Sequence, residues 1–582
     1  MSKFVCDQHM QETISTSSSN KPIWYFLLFW TALNLIQSYT LEVHGDEAYY
    51  WMYSRFLDWG YFDHPPMVAI FIRLGDSLIH NELGLRLFTV FTNSASLYFI
   101  WLILKKYAVE AKLFILVALS LFIFHMYGFT TTPDSPLLFF TVLFYFFYQQ
   151  YIEKDSWLLA FILALIVACL LYSKYHGILV IGFTLVSNLK LLTRKTFWLI
   201  AVLAAVLYIP HILWQVDHGY PSLKYHLVDR SAGQYRAEFT YLYPIGQLLM
   251  AGPLIGWFFF YAVSKTKVKD IFIRTLVVNC IGTFLFFMAT TLKGEVQMHW
   301  TLIAFVPLLI LVLISFTRTV RPPKWFYPLS IINIALIFFI RGALLFQLPF
   351  VTKVEVLKSY FGFRHLTEHI HQIVGNNYII IRDGFQDPSK YNYYSNSTKA
   401  MSYDSRYYRK TQYDSWPIED SMQHKRAYYM QDVWEPGLTT DSLVDLYGRK
   451  WYTLWVNDVR TYQKVIIDVP AFQQKIKATL GQELVFDLTM HNPYAYPISF
   501  TDNGYTHKAL LEACFFQGED MKLADKADDD FKNIGLQPGA QYKYTFHFKA
   551  PMVKGKYDLL FSIRTTPFAG SRNSPVINLV VE

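Results

Sequence analysis

Long apolar segments alternate with short polar ones along the first 350 residues of the chain. About eleven of these segments are roughly 17–25 residues long, which is the length that an α-helix needs to cross the hydrocarbon core of a membrane. The pattern predicts a cytoplasmic tail over 1–21 and a polytopic α-helical membrane domain over 22–350. The predicted spans are 22–41, 84–104, 111–130, 136–152, 156–173, 177–191, 196–216, 241–263, 270–291, 300–317 and 326–348.

The pattern changes after residue 350, where the long apolar segments stop. A helical period near Leu366–Val374 is followed by strand-like Tyr378–Ile381 and by two further strand-like pieces. This order predicts a small α/β domain with a short, mostly parallel sheet over 351–470. From there on, short alternating strands separated by turn signals such as Asn503-Gly504 predict an antiparallel β-sandwich over 471–582.

The loops between the apolar segments fall into two alternating sets, one rich in lysine and arginine and the other acidic. Because short basic loops stay in the cytoplasm, the N-terminus is predicted to be cytoplasmic and the C-terminal domains exterior. The composition agrees with a membrane protein, since only 16% of the residues are charged, compared with about a quarter in soluble domains. The net charge of +8 is explained by loop anchors facing anionic lipid, so no nucleic-acid partner is expected.

The stretch 44–66 follows the first apolar segment and combines acidic with aromatic residues. Asp46 and Glu47 offer a general base that takes a proton from an acceptor hydroxyl. The alternative is a helix N-cap, because Asp46 precedes an aromatic helical stretch. Asp63 and His64 either line the rim of a donor pocket or belong to a turn that the two following prolines fix.

Several of these residues resemble motifs of a known superfamily. They are the Asp46-Glu47 pair, Tyr61-Phe62-Asp63-His64-Pro65-Pro66 and, further on, Pro133-Asp134-Ser135-Pro136. They resemble the protein O-mannosyltransferase and aminoarabinose (lipid A) transferase families, which are GT-C glycosyltransferases that use polyprenyl-phosphate-linked sugars. The resemblance covers the membrane domain and implies a GT-C fold, with Asp46, Glu47 and Asp134 in the catalytic site. In the mannosyltransferases the second motif has one additional residue between Asp and His.

Asp134 also has an architectural alternative, because Ser135-Pro136 is a good helix start. Lys174 and Tyr175 lie in a predicted exterior turn, whereas the positive-inside rule favours lysine in cytoplasmic loops. They are interfacial anchors that reach the headgroups, or they bind the phosphate of a lipid donor. Since the related families have Ser-Lys-Tyr here, the resemblance favours a cation that stabilises the charge growing on the leaving phosphate.

Three further residues in predicted exterior loops complete the candidate set. Arg230 can donate two hydrogen bonds to a phosphate and Lys293 can contact one, although each is also compatible with an ordinary solvated charge. His299 is placed at the rim of the donor pocket, or in a membrane-interface belt. Glu295 and His299 share a helical face, which leaves a divalent metal as an alternative. One such pair is poor evidence for a metal site, and no cofactor is predicted.

The stretch 409–416 in the predicted α/β domain contains Gln412-Tyr413-Asp414-Ser415-Trp416. Similar bacterial transferases have an arginine and Gln-Tyr-Asp-hydrophobic-Trp in this region. The stretch either closes over the acceptor path or forms a packing corner, and packing is the favoured interpretation.

The resemblance implies an inverting membrane glycosyltransferase that moves a sugar from a polyprenyl phosphate to an acceptor hydroxyl, and the placement of the polar residues in predicted exterior loops agrees with it. By the resemblance, it works on the periplasmic side of a bacterial inner membrane. The alternative class is a transporter or flippase of lipid-linked substrates, which places ionisable residues within its spans. Here the polar clusters fall in predicted exterior loops. The sequence leaves open which sugar is moved and whether the acceptor is a protein, a lipid or a glycan.

Overall fold

The computed structural model describes residues 20–227, 235–406, 408–435, 440–518 and 520–582. The chain divides into two compact units. The first unit holds Tyr53–Lys358 together with the described residues up to Glu42, and the second holds Val43–Met52 and Ser359–Glu582. The short segment Val43–Met52 thus belongs to the second unit, although the residues on both sides of it in sequence belong to the first.

The first unit is built from α-helices, and the helix Gly45–Arg55 begins in the second unit and ends in the first. The helices are Lys21–Thr40, Gly45–Arg55, Met67–Asp76, Glu82–Lys105, Ala111–Ser120, Phe122–Met126, Asp134–Glu153, Trp157–Ser173, Gly177–Ser187, Lys195–Asp217, Pro221–Leu227, Ala237–Ala251, Gly256–Ser264, Ile271–Thr290, Leu302–Arg318, Phe326–Leu345 and Glu355–Lys358, with 3-10 turns at Leu189–Thr193 and Met298–Thr301.

Every predicted apolar segment coincides with one of these helices or with a broken pair of them. The segment 241–263 is a bent pair whose two helices meet at 97°. The break falls at Gly252-Pro253, because Gly252 has φ 143° and the following proline has no N–H to donate. Among the described helices, five are long and apolar enough to cross a membrane, or six if the bent pair is one span. The chain is therefore a multi-pass membrane protein, while the number of eleven spans stays a prediction.

The helix Leu302–Arg318 lies in the centre of the first unit. Its apolar stretch is 89% buried, whereas that of Lys195–Asp217 is only 17% buried. A helix that is apolar on all sides is either buried or faces lipid, and these two helices represent the two situations. The difference identifies the core around which the other helices pack and the apolar surface that a membrane covers.

Arg86 closes the C-terminal end of the helix Lys21–Thr40. Its guanidinium is fully buried and donates to the carbonyls of Ser38, Leu41 and Glu42 at 2.7–2.9 Å. The last carbonyls of a helix have no partner within the helix, so a buried cation satisfies them and complements the negative end of the helix dipole. This contact fixes the chain at the residue that precedes Val43–Met52.

The second unit begins with a five-stranded sheet that helices Phe363–Val374 and Gln386–Tyr394 cover. The strands are β1 Tyr378–Arg382, β2 Ala400–Tyr403, β3 Ala427–Gln431, β4 Asp441–Val444 and β5 Lys450–Val456. They are ordered β2-β1-β3-β5-β4. β1 is parallel to β2 and β3, but β3 pairs antiparallel with β5, and β5 with β4. The predicted mostly parallel sheet is therefore mixed, because β4 and β5 form a hairpin with a short connection.

Two further sheets pack together in the C-terminal region, beside a short pair of strands. The strands are β6 Ile466–Asp468, β7 Lys475–Ala478, β8 Glu483–His491, β9 Ile498–Ser499, β10 Ala509–Gln517, β11 Asp520–Lys526, β12 Gly535–Leu536, β13 Gln541–Lys549, β14 Gly555–Thr565 and β15 Ile577–Val581. The two sheets are ordered β11-β10-β14-β15-β7 and β13-β8-β6, and the short pair is β12-β9. The pairings are antiparallel except for β15 with β7. Alternate residues such as Phe486, Leu488 and Phe546 point into a common apolar core.

Two carboxyl groups lie close together in the second unit, where Asp404 is buried and Asp414 is half-buried. Asp404 accepts from the hydroxyls of Ser402 at 2.6 Å and Thr411 at 3.2 Å, and Asp414 accepts from the backbone N–H of Thr411 at 2.7 Å. Burial, together with the nearby negative charge of Asp414, raises the pKa of Asp404 well above its usual range. Burial also raises the pKa of Asp414, although Lys410 opposes this shift.

A carboxyl whose pKa is higher in the folded than in the unfolded state stabilises the fold below the unfolded value. That contribution is lost as the pH rises through the folded value. We therefore expect the free energy of unfolding to fall between about pH 4 and the raised pKa, by up to about 1.4 kcal/mol per pH unit. Asp404→Asn should flatten this slope, as measured by thermal unfolding of the full chain between pH 5 and 8. Asp520→Asn, at a side chain that is 80% exposed, should not. An unchanged slope in Asp404→Asn would contradict this assignment.

Candidate active site

Asp46 and Glu47 occupy the first turn of the helix Gly45–Arg55, within the second unit. Glu47 is fully buried and accepts from the backbone N–H of His44 at 3.1 Å. This contact satisfies a donor at the helix start, which is the capping role that a carboxylate has at this position. Asp46 differs, because its side chain is 40% exposed and Oδ1 accepts from Nε2 of Gln386 at 2.9 Å. Glu47, and not Asp46, therefore has the capping contact at the start of this helix.

The segment that carries Asp46 is held by distant residues of the second unit. The N–H of Val43 donates to the hydroxyl of Tyr394 at 2.9 Å, and the N–H of Gly45 donates to Oγ of Ser359 at 3.0 Å. These backbone contacts join residues more than 300 positions apart in sequence. The segment is thus fixed by tertiary structure and not by its own helical turn alone.

Tyr49 supplies the aromatic part of this attachment. Its hydroxyl accepts from the backbone N–H of Gln412 at 2.8 Å. Its ring lies 4.2 Å from that of Phe385 and 6.0 Å from that of Trp416, measured between ring centroids. The stretch 409–416 therefore packs against the helix that carries Asp46, which agrees with the favoured packing interpretation.

Lys174 and Asp134 form a buried ion pair in the first unit. Nζ of Lys174 lies 2.7 Å from Oδ2 of Asp134, and the two side chains are only 7% and 3% exposed. Nε2 of His299 lies 3.8 Å from the same oxygen. The other oxygen of Asp134, Oδ1, is buried and has no hydrogen-bond partner among the described residues. The structure thus brings together three residues that the sequence analysis selected from three separate loops.

Helix ends explain why these side chains meet. Asp134 is the first residue of its helix, and the turn before it is closed by Ser135, whose hydroxyl donates to the carbonyl of Thr130 at 2.7 Å. Lys174 directly follows the helix Trp157–Ser173 in an extended conformation. Because these consecutive helices are antiparallel neighbours, the start of one and the end of the next lie at the same end of the bundle. An anion at the start of a helix is also favoured by the helix dipole.

Asp63, His64 and Tyr175 lie around His226 in the first unit. Asp63 is buried, and its side chain accepts from the hydroxyl of Tyr53. The backbone carbonyl of Asp63 contacts Nε2 of His226 at 2.9 Å. The ring of His226 lies 6.2 Å from that of His64 and 5.6 Å from that of Tyr175. The two predicted turns are therefore linked through a histidine that the sequence analysis did not select as a site residue.

The hydroxyl of Tyr175 accepts from Nε2 of Gln215 at 3.0 Å and lies 3.1 Å from Nε2 of His211. Lys293 is exposed in the turn after the helix Ile271–Thr290. Arg230 lies outside the described residues. Within the described part of the chain, no group of three or more His, Cys, Asp or Glu side chains is arranged to hold a metal ion.

Comparisons with known proteins show which family and which fold the chain resembles. Residues 63–214 match the model of the family described as dolichyl-phosphate-mannose-protein mannosyltransferase. ArnT from Cupriavidus metallidurans in the apo state has a similar fold, with a TM-score of 0.57 at 14% identity over 74% of this chain and 97% of that chain. ArnT bound to undecaprenyl phosphate gives a TM-score of 0.55 at 13% identity over 75% of this chain and 98% of that chain. A comparison with curated proteins gives no match.

The fold is therefore that of a polytopic helical membrane protein with a C-terminal β-rich region, and the predicted fold class is confirmed. The predicted resemblance to the protein O-mannosyltransferase family is confirmed over residues 63–214, and the predicted resemblance to the aminoarabinose transferases is confirmed in the fold. The matched family segment includes Asp63, His64, Asp134, Lys174 and Tyr175.

The buried pair has a measurable consequence for stability. Lys174→Met leaves the Asp134 carboxylate buried without its cation, which should lower the free energy of unfolding by about 3–5 kcal/mol. Removing both charges in Asp134→Asn/Lys174→Met should recover most of that loss. Thermal unfolding of the full chain in detergent measures both effects. Lys106→Met is the matched control, because it breaks an exposed pair with Glu153 and should cost less than about 1 kcal/mol. Equal effects of the Lys174 and Lys106 changes would contradict the burial argument.

Proposed function

We propose that the chain is a membrane glycosyltransferase that moves a sugar from a polyprenyl-phosphate donor to an acceptor hydroxyl, with inversion at the anomeric carbon. The single observation that carries the proposal is the buried Lys174–Asp134 pair, in which the second carboxylate oxygen has no partner among the described residues. It is supported by the mannosyltransferase family match and by the fold shared with ArnT, one structure of which is bound to undecaprenyl phosphate.

The chemistry of the pair suits a lipid phosphate and its sugar. A lysine ammonium has three donors, and one of them is directed at Asp134. The remaining donors stabilise the negative charge that grows on the phosphate as the bond to the sugar breaks. Oδ1 of Asp134 is placed to accept from a polar hydrogen of the sugar, with His299 at the rim. Because the groups are already buried, they act in a low dielectric, where fixed charges have a larger effect than in water.

Asp46 is the proposed base. Its carboxylate takes the proton of the acceptor hydroxyl as that oxygen bonds to the anomeric carbon, and the bond from this carbon to the phosphate breaks. The polyprenyl phosphate leaves with the electron pair. Asp46 suits this role because it is partly exposed, whereas Glu47 is fully buried and serves the helix start.

The other candidates have supporting roles in the proposal. Lys293 and Arg230 are proposed contacts to the donor phosphate because both are cations in predicted exterior loops. Tyr175, Asp63 and His64 are proposed to shape the donor pocket. Their hydrogen bonds and ring contacts hold two turns in fixed positions, which is what a preorganised site needs.

Asp46→Asn tests the proposed base. It should lower kcat by about 10²–10⁴-fold, because an amide cannot accept the proton. The measurement is release of undecaprenyl phosphate from a panel of undecaprenyl-phosphate sugars by the purified protein in proteoliposomes. Asp217→Asn, at an exposed residue that ends the helix Lys195–Asp217, is the matched control and should keep normal activity. Full sugar transfer by Asp46→Asn would refute the assignment.

The proposed periplasmic orientation is tested by cysteine labelling in intact cells. Asn503→Cys, in an exposed turn of the β-rich region, should react with a membrane-impermeant maleimide added outside. Lys267→Cys, in a predicted cytoplasmic loop, should react only after permeabilisation. The reverse pattern would place the β-rich region in the cytoplasm and overturn the orientation.

A further inference from the structure

We propose that Gln386 is a positioning residue for the Asp46 carboxylate, which would make the β-rich unit a participant in the chemistry. The inference deepens the proposed function and rests on Asp46 being the base. It starts from one contact, in which Nε2 of Gln386 donates to Oδ1 of Asp46 at 2.9 Å across 340 positions of sequence.

The position of Gln386 is set by its helix. Gln386 is the first residue of the helix Gln386–Tyr394, and the last residue, Tyr394, accepts from the backbone N–H of Val43. In the middle of the same helix, Nζ of Lys390 donates to the carbonyl of Ser359, whose hydroxyl accepts from the N–H of Gly45. One short helix thus supports the Asp46 segment at several points, and Gln386 is the support that reaches the carboxylate itself.

Gly45 leaves the space that this contact needs. A Cβ at this position would lie 2.7 Å from Cβ and 2.8 Å from Cδ of Gln386. Atoms this close would force the glutamine side chain or the backbone at position 45 to move. The glutamine therefore reaches Asp46 only because the residue before Asp46 has no side chain. The requirement for glycine comes from close packing here, since Gly45 does not have a positive φ.

The contact suits a general base. A neutral amide that donates to Oδ1 fixes the plane of the carboxylate and leaves Oδ2 to take a proton. Nδ1 of His44 lies 3.9 Å from Oδ2, and it accepts from the backbone N–H of Asp46, so it does not donate to that oxygen. A lysine or arginine in place of Gln386 would form an ion pair and oppose protonation, whereas an amide holds the carboxylate with a weaker hydrogen bond.

Gln386→Glu tests the proposal through proton binding at Asp46. A second carboxylate at this distance disfavours ionisation of its neighbour, so Asp46 should stay protonated to higher pH. The readout is the pH dependence of carbodiimide modification of Asp46 in the purified full chain, followed by peptide mass spectrometry, which does not depend on catalysis. We expect the midpoint to rise by about one pH unit in Gln386→Glu.

Gln423→Glu is the matched control. It introduces the same charge in the same unit, but Gln423 donates to Thr461 and not to Asp46. Its midpoint should equal that of the wild type. An equal midpoint in Gln386→Glu and the wild type, or an equal shift in Gln386→Glu and Gln423→Glu, would overturn the positioning role.

The activity measurement separates this inference from the proposed function. In an active enzyme, the acid limb of the pH–rate profile of Gln386→Glu should move to higher pH together with the modification midpoint, whereas a purely structural role would lower activity at all pH values. If Asp46→Asn keeps full transfer activity, the base assignment fails and Gln386 is no longer a positioning residue for catalysis, even if the modification midpoint shifts. If Asp46→Asn is inactive and the midpoint of Gln386→Glu does not shift, only the role of Gln386 fails.

Discussion

A lysine and an aspartate lie 2.7 Å apart at one end of the helical unit, nearly inaccessible to solvent, and the proposed chemistry depends on this contact. Removing two charges from water is costly, and their attraction repays that cost only when each has its partner in good geometry. Helix ends provide the geometry, since Asp134 begins one helix and Lys174 follows the next. The helix Leu302–Arg318, which is buried from Leu302 to Phe316, supplies the apolar packing on which this unit is built. Packing thus provides the stability, and the ion pair provides a fixed charge.

The second unit fixes the position of the segment Val43–Met52 through tertiary contacts. The segment Val43–Met52 lies between helices of the membrane unit in sequence, yet its backbone and side chains are held by Tyr394, Ser359 and Gln412. The helix that this segment begins is short, and a short helix is marginal without tertiary contacts. The β-rich region therefore has a structural role toward this segment. It determines the position of the carboxylate that we propose as the base.

The sequence indicates candidate residues but does not assign their contacts. Asp134, Lys174 and His299 come from three predicted loops and lie together in the structure. The resemblance supports Asp134 and Lys174, whereas His299 is a candidate from its position at the start of a predicted span. Glu47 was grouped with Asp46, although burial gives it a capping contact. The sheet was expected to be mostly parallel, since strand periodicity carries no information about the direction of a neighbouring strand. The packing role of the stretch 409–416 agrees with the contact between Gln412 and Tyr49.

By itself, the sequence determined the membrane character, the positions of the long apolar helices, the change to a strand-rich C-terminal region and a set of candidate residues. These properties are local, because a run of apolar side chains or a period of two is readable within a short window. Tertiary structure alone decided that Gln386 reaches Asp46, that His226 links the turns of Asp63 and Tyr175, and that Val43–Met52 belongs to the second unit. Each of these contacts joins residues far apart along the chain, where no periodicity connects them. Only packing of the whole unit brings such atoms within hydrogen-bonding distance.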